Sequence, residues 1–223
     1  MRRALRAAFP QTIPVLTGYL VLGVAYGVLM QSKGFGAPWV LLMSGVAFCG
    51  SMQFAAITLL TSAFDPLGAF VMSILVNARH TFYGVSMLEK YRGMGWAKPV
   101  LIYTLSDETF SLVSSAEPPE GVAPRDFYLS ISLLDYIYWV GASLLGSLAG
   151  QFIRFDTTGL DFALTGLFVV LFIEQMLNPK NRASGAVGLG CTLAALLIFG
   201  ADNLVIPAMI FVLAALLLGR KKL

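Results

Sequence analysis

The sequence predicts an all-α fold, a polytopic transmembrane helical bundle of about seven to eight segments with broken or re-entrant helices among them. Three observations predict it. Hydrophobic residues make up 57% and charged residues 12% of the 223-residue chain, where an average soluble domain carries roughly 25% charged residues. Mean hydropathy is +0.79. Apolar runs long enough to cross a hydrocarbon core recur from one end of the chain to the other. The loops between them leave no room for a separate soluble domain, so residues 1–223 read as one integral membrane domain. The net charge of +3 is modest, and the basic residues gather at the ends and in loops. That pattern suits lipid headgroups and gives no sign of a nucleic-acid partner.

Eight candidate spans follow in order, at residues 12–30, 38–61, 66–88, 97–115, 127–149, 160–177, 183–200 and 203–219. Eight is a ceiling, because the last two are short. The first follows Arg2, Arg3 and Arg6 without a small-residue cleavage site, so it reads as an uncleaved helix. Its Gly23-Val-Ala-Tyr-Gly27 fits a close-packing motif. The second span opens at Trp39, an interfacial aromatic, and contains Phe48-Cys-Gly-Ser-Met-Gln-Phe54. Glycine there either lets the backbone unwind and offer its polar groups to a solute, or serves close helix packing.

The third span holds Asn77, Ala78, Arg79 and His80 at its middle. Ionisable groups at that depth mark functional sites, since each costs about 2.5 to 3.5 kcal/mol unless it faces protein or water. Ser73, Asn77, His80 or Thr81, and Gly84 form one polar, small stripe. Helix packing accounts for Ser73, Thr81 and Gly84, but it does not account for Arg79. The fourth span begins at Trp96 and supplies Asp107 and Glu108. Adjacent residues point about 100° apart, so these carboxylates serve different neighbours. Asp135 and Glu174 add acids to the fifth and sixth spans. Either both lie near aqueous ends or they join the buried charges. Four acids against one arginine and one histidine is an excess that burial and repulsion penalise, so at least one acid is expected to be neutral in some state. Trp139 lies inside its span and is expected to pack internally.

Ser44-Gly45 before Gln53 is faintly echoed by Thr165-Gly166 before Glu174, as in transporters with repeated halves. The N-terminal arginines, Lys180, Arg182 and the Arg220-Lys-Lys222 tail favour both ends inside, whereas Lys90, Arg92 and Lys98 oppose that assignment. Cys49 and Cys191 lie in apolar runs as reduced thiols. With one histidine and no cysteine pair at ligand spacing, no metal and no cofactor is expected.

Gly50-Ser51-Met-Gln53-Phe, Asn77-Ala-Arg79-His80-Thr-Phe-Tyr83-Gly84 and Ser106-Asp107-Glu108-Thr-Phe110, in this order, resemble the AzlC family, the large subunit of bacterial branched-chain amino acid exporters. The resemblance covers nearly the whole chain in span pattern, and the Asn-x-Arg-His-x-x-Tyr-Gly block is its most specific part. It implies a secondary transporter in the bacterial inner membrane that exports branched-chain or related apolar amino acids. It also implies a proton-motive energy source and a small AzlD-type membrane subunit.

A zwitterion needs a cation or helix N-terminus for its carboxylate, an anion for its ammonium and an apolar pocket. The motif positions therefore give the candidate substrate-binding residues Gly50, Ser51, Gln53, Asn77, Arg79 and Tyr83. The candidate proton-coupling residues are His80, Asp107, Glu108 and Glu174. An ion channel or exchanger built on Arg79, Asp107 and Glu108 is the nearest rival. A membrane enzyme lacks a nucleophile and base pair.

Overall fold

The computed structural model describes residues 1–152, 182–200 and 204–219, with isolated residues 169, 172, 173, 176, 177 and 179. The described secondary structure is helical throughout. It comprises α1 (Arg2–Ser32), α2 (Ala37–Leu42), a π turn (Met43–Ala47), α3 (Gly50–Thr61), α4 (Pro66–Met87), α5 (Ala97–Tyr103), α6 (Asp107–Ser115), α7 (Pro124–Phe152), α8 (Arg182–Phe199) and α9 (Val205–Gly219). Three of these, α1, α7 and α8, are long and apolar enough to cross a membrane unbroken. The chain is thus an all-α polytopic membrane protein. Most of the sixth candidate span, including Glu174 and its Thr165-Gly166, lies outside the described residues.

The chain divides into two compact units, residues 1–69 with 76–155, and residues 70–75 with 156–223. In the second unit α8 and α9 pack on one another, with the Phe199 and Phe211 rings edge to face at 6.0 Å. The first unit is organised by α7, which is packed against α1, α2, α5 and α6.

The α1 helix starts ten residues earlier than the hydropathy suggests and runs through Pro10 and Pro14. An internal proline removes a backbone donor. The hydroxyls of Thr12 and Thr17 donate to the carbonyls of Phe9 and Pro14, adding side-chain hydrogen bonds within the interrupted stretch.

The α1 and α7 backbones meet at glycine. A Cβ on Gly23 would stand 2.7 Å from that of Ala142, and one on Gly27 would run into the Ser143 carbonyl and lie 2.5 Å from the Ser147 nitrogen. Facing them, a Cβ on Gly146 would strike the Val24 carbonyl. Lipid supplies no hydrophobic force between helices, so association rests on close packing of this kind. Thr12 to Tyr138 and Ser147 to Gln31 add hydrogen-bond contacts across the seam at 3.2 Å each.

The second candidate span is broken, into α2 and α3, as its glycine content allows. The third is a continuous helix, capped by Asp65, whose Oδ1 accepts from the Gly68 amide at 2.9 Å. The fourth differs from expectation: in place of one crossing it forms α5 and α6, separated at Thr104–Ser106. Its physical cause is Ser106, whose hydroxyl accepts from the Thr109 amide and starts a new helix with Asp107 and Glu108 in the first turn.

Candidate functional site

The break before α3 sets up the site. Phe48 takes a left-handed backbone (φ 39°) and Cys49 an extended one, after which Gly50 opens α3. A left-handed non-glycine residue is strained and persists only where its surroundings hold it. Here the buried Phe48 ring lies 5.0 Å from the Tyr136 ring. Carbonyls freed by the break are also satisfied. The Tyr136 hydroxyl donates to Gly45 at 2.9 Å, and the Tyr103 hydroxyl donates to Gly45 and Val46. Gly50 admits no side chain easily, because a Cβ there would approach the Trp139 ring at 3.2 Å.

Arg79, carried by the continuous α4, lies between the first turns of both half-helices. Its guanidinium donates to Ser51 on α3 at 2.7 Å and pairs with Asp107 on α6 at 2.7 Å. Two atoms of this pair retain unused hydrogen-bonding capacity. Arg79 Nε and Asp107 Oδ1 are buried without a partner. Asn77 accepts from the Cys49 thiol at 2.7 Å, tying α4 to the break itself. Tyr83 stacks on Phe110 at 4.4 Å, forming an apolar aromatic wall one turn from Arg79.

The two adjacent carboxylates go to different neighbours, as their angular offset requires. Asp107 takes Arg79, and Glu108 accepts from the Tyr19 hydroxyl of α1 at 2.7 Å. The described contacts of His80 stay within its own helix, with Nδ1 3.3 Å from the Asn77 carbonyl and the ring 5.4 Å from that of Tyr83.

Gln53 is not brought to Arg79. Two residues turn a helix by about 200°, so with Ser51 facing Arg79, Gln53 points across α3 into the core. There it is buried and accepts from Trp139 Nε1 at 2.8 Å. The packing reading of the α4 stripe also needs correction. Thr81 is exposed, and a Cβ on Gly84 would meet nothing within 4 Å. Glu174 lies outside the described residues.

Asp135 is fully buried at mid-α7, where the alternative of an aqueous end fails, and it accepts from Thr109 at 2.8 Å. Ser106, directly before two acids, has the pattern of a helix start, whereas Tyr19 has no signal in the sequence that places it beside Glu108. Among the described residues no group of three or more His, Cys, Asp or Glu is placed to hold a metal ion.

Trp139, internal as its position in the span suggested, forms the floor beneath Gly50. Its ring is edge to face with Tyr19 at 5.2 Å and stacked on Tyr26 at 6.2 Å. Trp139→Phe keeps the aromatic packing but removes the donor to Gln53. It is expected to lower stability by about 1–3 kcal/mol, the cost of one buried orphaned acceptor, read as a lowered thermal midpoint in detergent. An unchanged midpoint would show that Gln53 finds another partner.

A family model described as AzlC protein matches residues 14–153, the stretch that contains both breaks, Arg79 and Asp135. The chain is 45% identical over 220 residues to the branched-chain amino acid transport protein AzlC of Bacillus subtilis, covering 99% of this chain and 87% of that one. It is 40% identical to an uncharacterized membrane protein of Helicobacter pylori, covering 99% and 97%. With a Haemophilus influenzae membrane protein it shares 38% identity over 93% of its length and 85% of the relative's. No solved structure matches. A family match over more than half the chain, together with end-to-end relatives, leaves one conclusion: the chain belongs to the AzlC family.

Proposed function

We propose that this protein is a secondary transporter that exports branched-chain or related apolar amino acids across the bacterial inner membrane. The name of the Bacillus subtilis relative supports the substrate class. One observation supports the mechanism above the others: Arg79 and Asp107 form a 2.7 Å ion pair between the first turns of two half-helices, each with a buried polar atom unpartnered. A zwitterion can insert into such a pair, its carboxylate taking Arg79 and its ammonium taking Asp107. Ser51 and Asn77 then orient the ligand, and Tyr83 with Phe110 covers its aliphatic side chain. Gly50 contributes by letting the α3 N-terminus approach, whereas Gln53 supports α3 from behind.

The energy source in this reading is the proton motive force, as the resemblance to the AzlC family implies. Glu108 and His80 flank the pair as proton carriers. Residues 1–223 act as one membrane domain, working with a small AzlD-type subunit.

Counterflow of labelled leucine in proteoliposomes is the test. Saturable exchange of leucine for leucine is the expected result. Conductance without counterflow would favour the alternative, an ion path lined by Arg79, Asp107 and Glu108, and absence of both would remove either reading.

A further inference from the structure

Asp135 has no exposed surface, and the zwitterion site makes no use of it. Its Oδ2 accepts from Thr109 Oγ1 at 2.8 Å, while Oδ1 is buried without a partner. A line of oxygens leads away from it. Thr109 Oγ1 lies 3.1 Å from Ser106 Oγ, Ser106 Oγ lies 2.8 Å from the Tyr19 hydroxyl, and that hydroxyl contacts Glu108 Oε2 at 2.7 Å. Three hydroxyl oxygens thus join two carboxylates in a line of five oxygens, with α1, α6 and α7 each contributing.

The hydrogens in this line can be counted. Four oxygen-to-oxygen links contain three hydroxyls, and each hydroxyl has one hydrogen to give. When both carboxylates are ionised, one link has no hydrogen and lone pairs face each other across it. A single added proton completes the line. Bound to Glu108, it lets every hydroxyl donate towards Asp135; bound to Asp135, it lets every hydroxyl donate towards Glu108. Passage from one to the other needs each hydroxyl only to release its own hydrogen and accept the next. The proton count of the chain is unchanged, and the negative charge moves from one carboxylate to the other.

We propose that Glu108 and Asp135 share one transported proton through the Tyr19, Ser106 and Thr109 hydroxyls, with Asp135 as the buried end of the path. This rests on the transport function proposed above and assigns the coupling proton within it. The titratable groups facing Asp135 are Glu108 from α6 and Tyr19 from α1. Among the described residues no cation pairs with it. An ionised carboxylate so placed carries a large desolvation cost, and a shared proton relieves it. Glu108 directly follows Asp107 in the first turn of α6. Loss of the Asp107 contact to Arg79 when substrate binds therefore changes the field at the mouth of this line.

The experiment uses the full chain in proteoliposomes with an imposed pH gradient, comparing gradient-driven leucine accumulation with leucine counterflow at equal pH. In Asp135→Asn, accumulation is expected to fall to the level without a gradient, and counterflow to lose its pH dependence. Thr109→Val cuts the line and should lose gradient drive in the same way, while Thr109→Ser keeps the hydroxyl and should retain it. Accumulation by Asp135→Asn at the wild-type ratio would overturn the proposal. If that variant fails to fold, gradient drive in Thr109→Val equal to that in Thr109→Ser would overturn it instead. A wild-type protein with counterflow but no response to the gradient defeats this inference together with the proton-motive energy source, and leaves the carrier reading standing. A wild-type protein without counterflow defeats the transport reading beneath it.

Discussion

Arg79→Gln is expected to lower leucine counterflow by about 30-fold or more while the protein stays folded. Truncating one member of a hydrogen-bonded charge contact costs about 2–5 kcal/mol, and each 1.4 kcal/mol is tenfold. The same substitution should move the thermal midpoint little. Arg79 and Asp107 keep 40% and 34% of their side-chain surface exposed, and pairs of that kind contribute little to stability. Transport lost with stability kept is the signature of a ligand contact. The exchanged pair, Arg79→Asp with Asp107→Arg, separates the two roles of the charge. A purely structural pair would recover function on exchange. A substrate pair would not, because Ser51 and the α3 N-terminus now face the wrong charge of the zwitterion. Recovery of counterflow by the exchanged variant would reject the substrate role.

How much of this site was legible varies with the kind of signal. Arg79 stood out because an arginine in an apolar run has no cheap explanation. The Gly23 to Gly27 seam was legible because its spacing repeats on one helix face. The break before α3 announced itself through Gly50, although the left-handed residue is Phe48. The break before α6 contains neither glycine nor proline. Only Ser106 preceding two acids marked it, and that pattern reads as a helix start only when a start is looked for. Ser51 and Gln53 share one motif, but two residues of helix turn them to opposite faces, Ser51 to Arg79 and Gln53 to Trp139. Asp135 was the least legible. Its role depends on Thr109, a partner 26 residues away in sequence, and no local pattern encodes that contact.

Gly27→Leu and Gly146→Leu are expected to show the largest loss of stability of any single substitution considered above, about 3 kcal/mol or more each. Overpacking a close contact costs about 1–3 kcal/mol when side chains can give way, and here the obstruction is the backbone of the facing helix. For a chain of this size that corresponds to a fall in thermal midpoint of about 6–12 °C, at roughly 2–4 °C per kcal/mol. Gly18 and Gly141 are the controls, because a Cβ at either would meet nothing within 4 Å. Alanine at those positions should leave the midpoint unchanged or raise it slightly, through the entropy glycine loses in a helix. A fall for Gly141→Ala matching that for Gly27→Leu would contradict the close seam. The consequence reaches the site because both helices serve it from behind: α1 supplies Tyr19 to Glu108, and α7 supplies Trp139 beneath Gly50 and Asp135 to Thr109. Moving α1 with α7 and α6 held in place, by the width of one side chain, would exceed the reach of the Tyr19 to Glu108 hydrogen bond. Transport should therefore be lost in these variants even where the helices still insert, unlike in Arg79→Gln, where the scaffold remains and only the charge is gone.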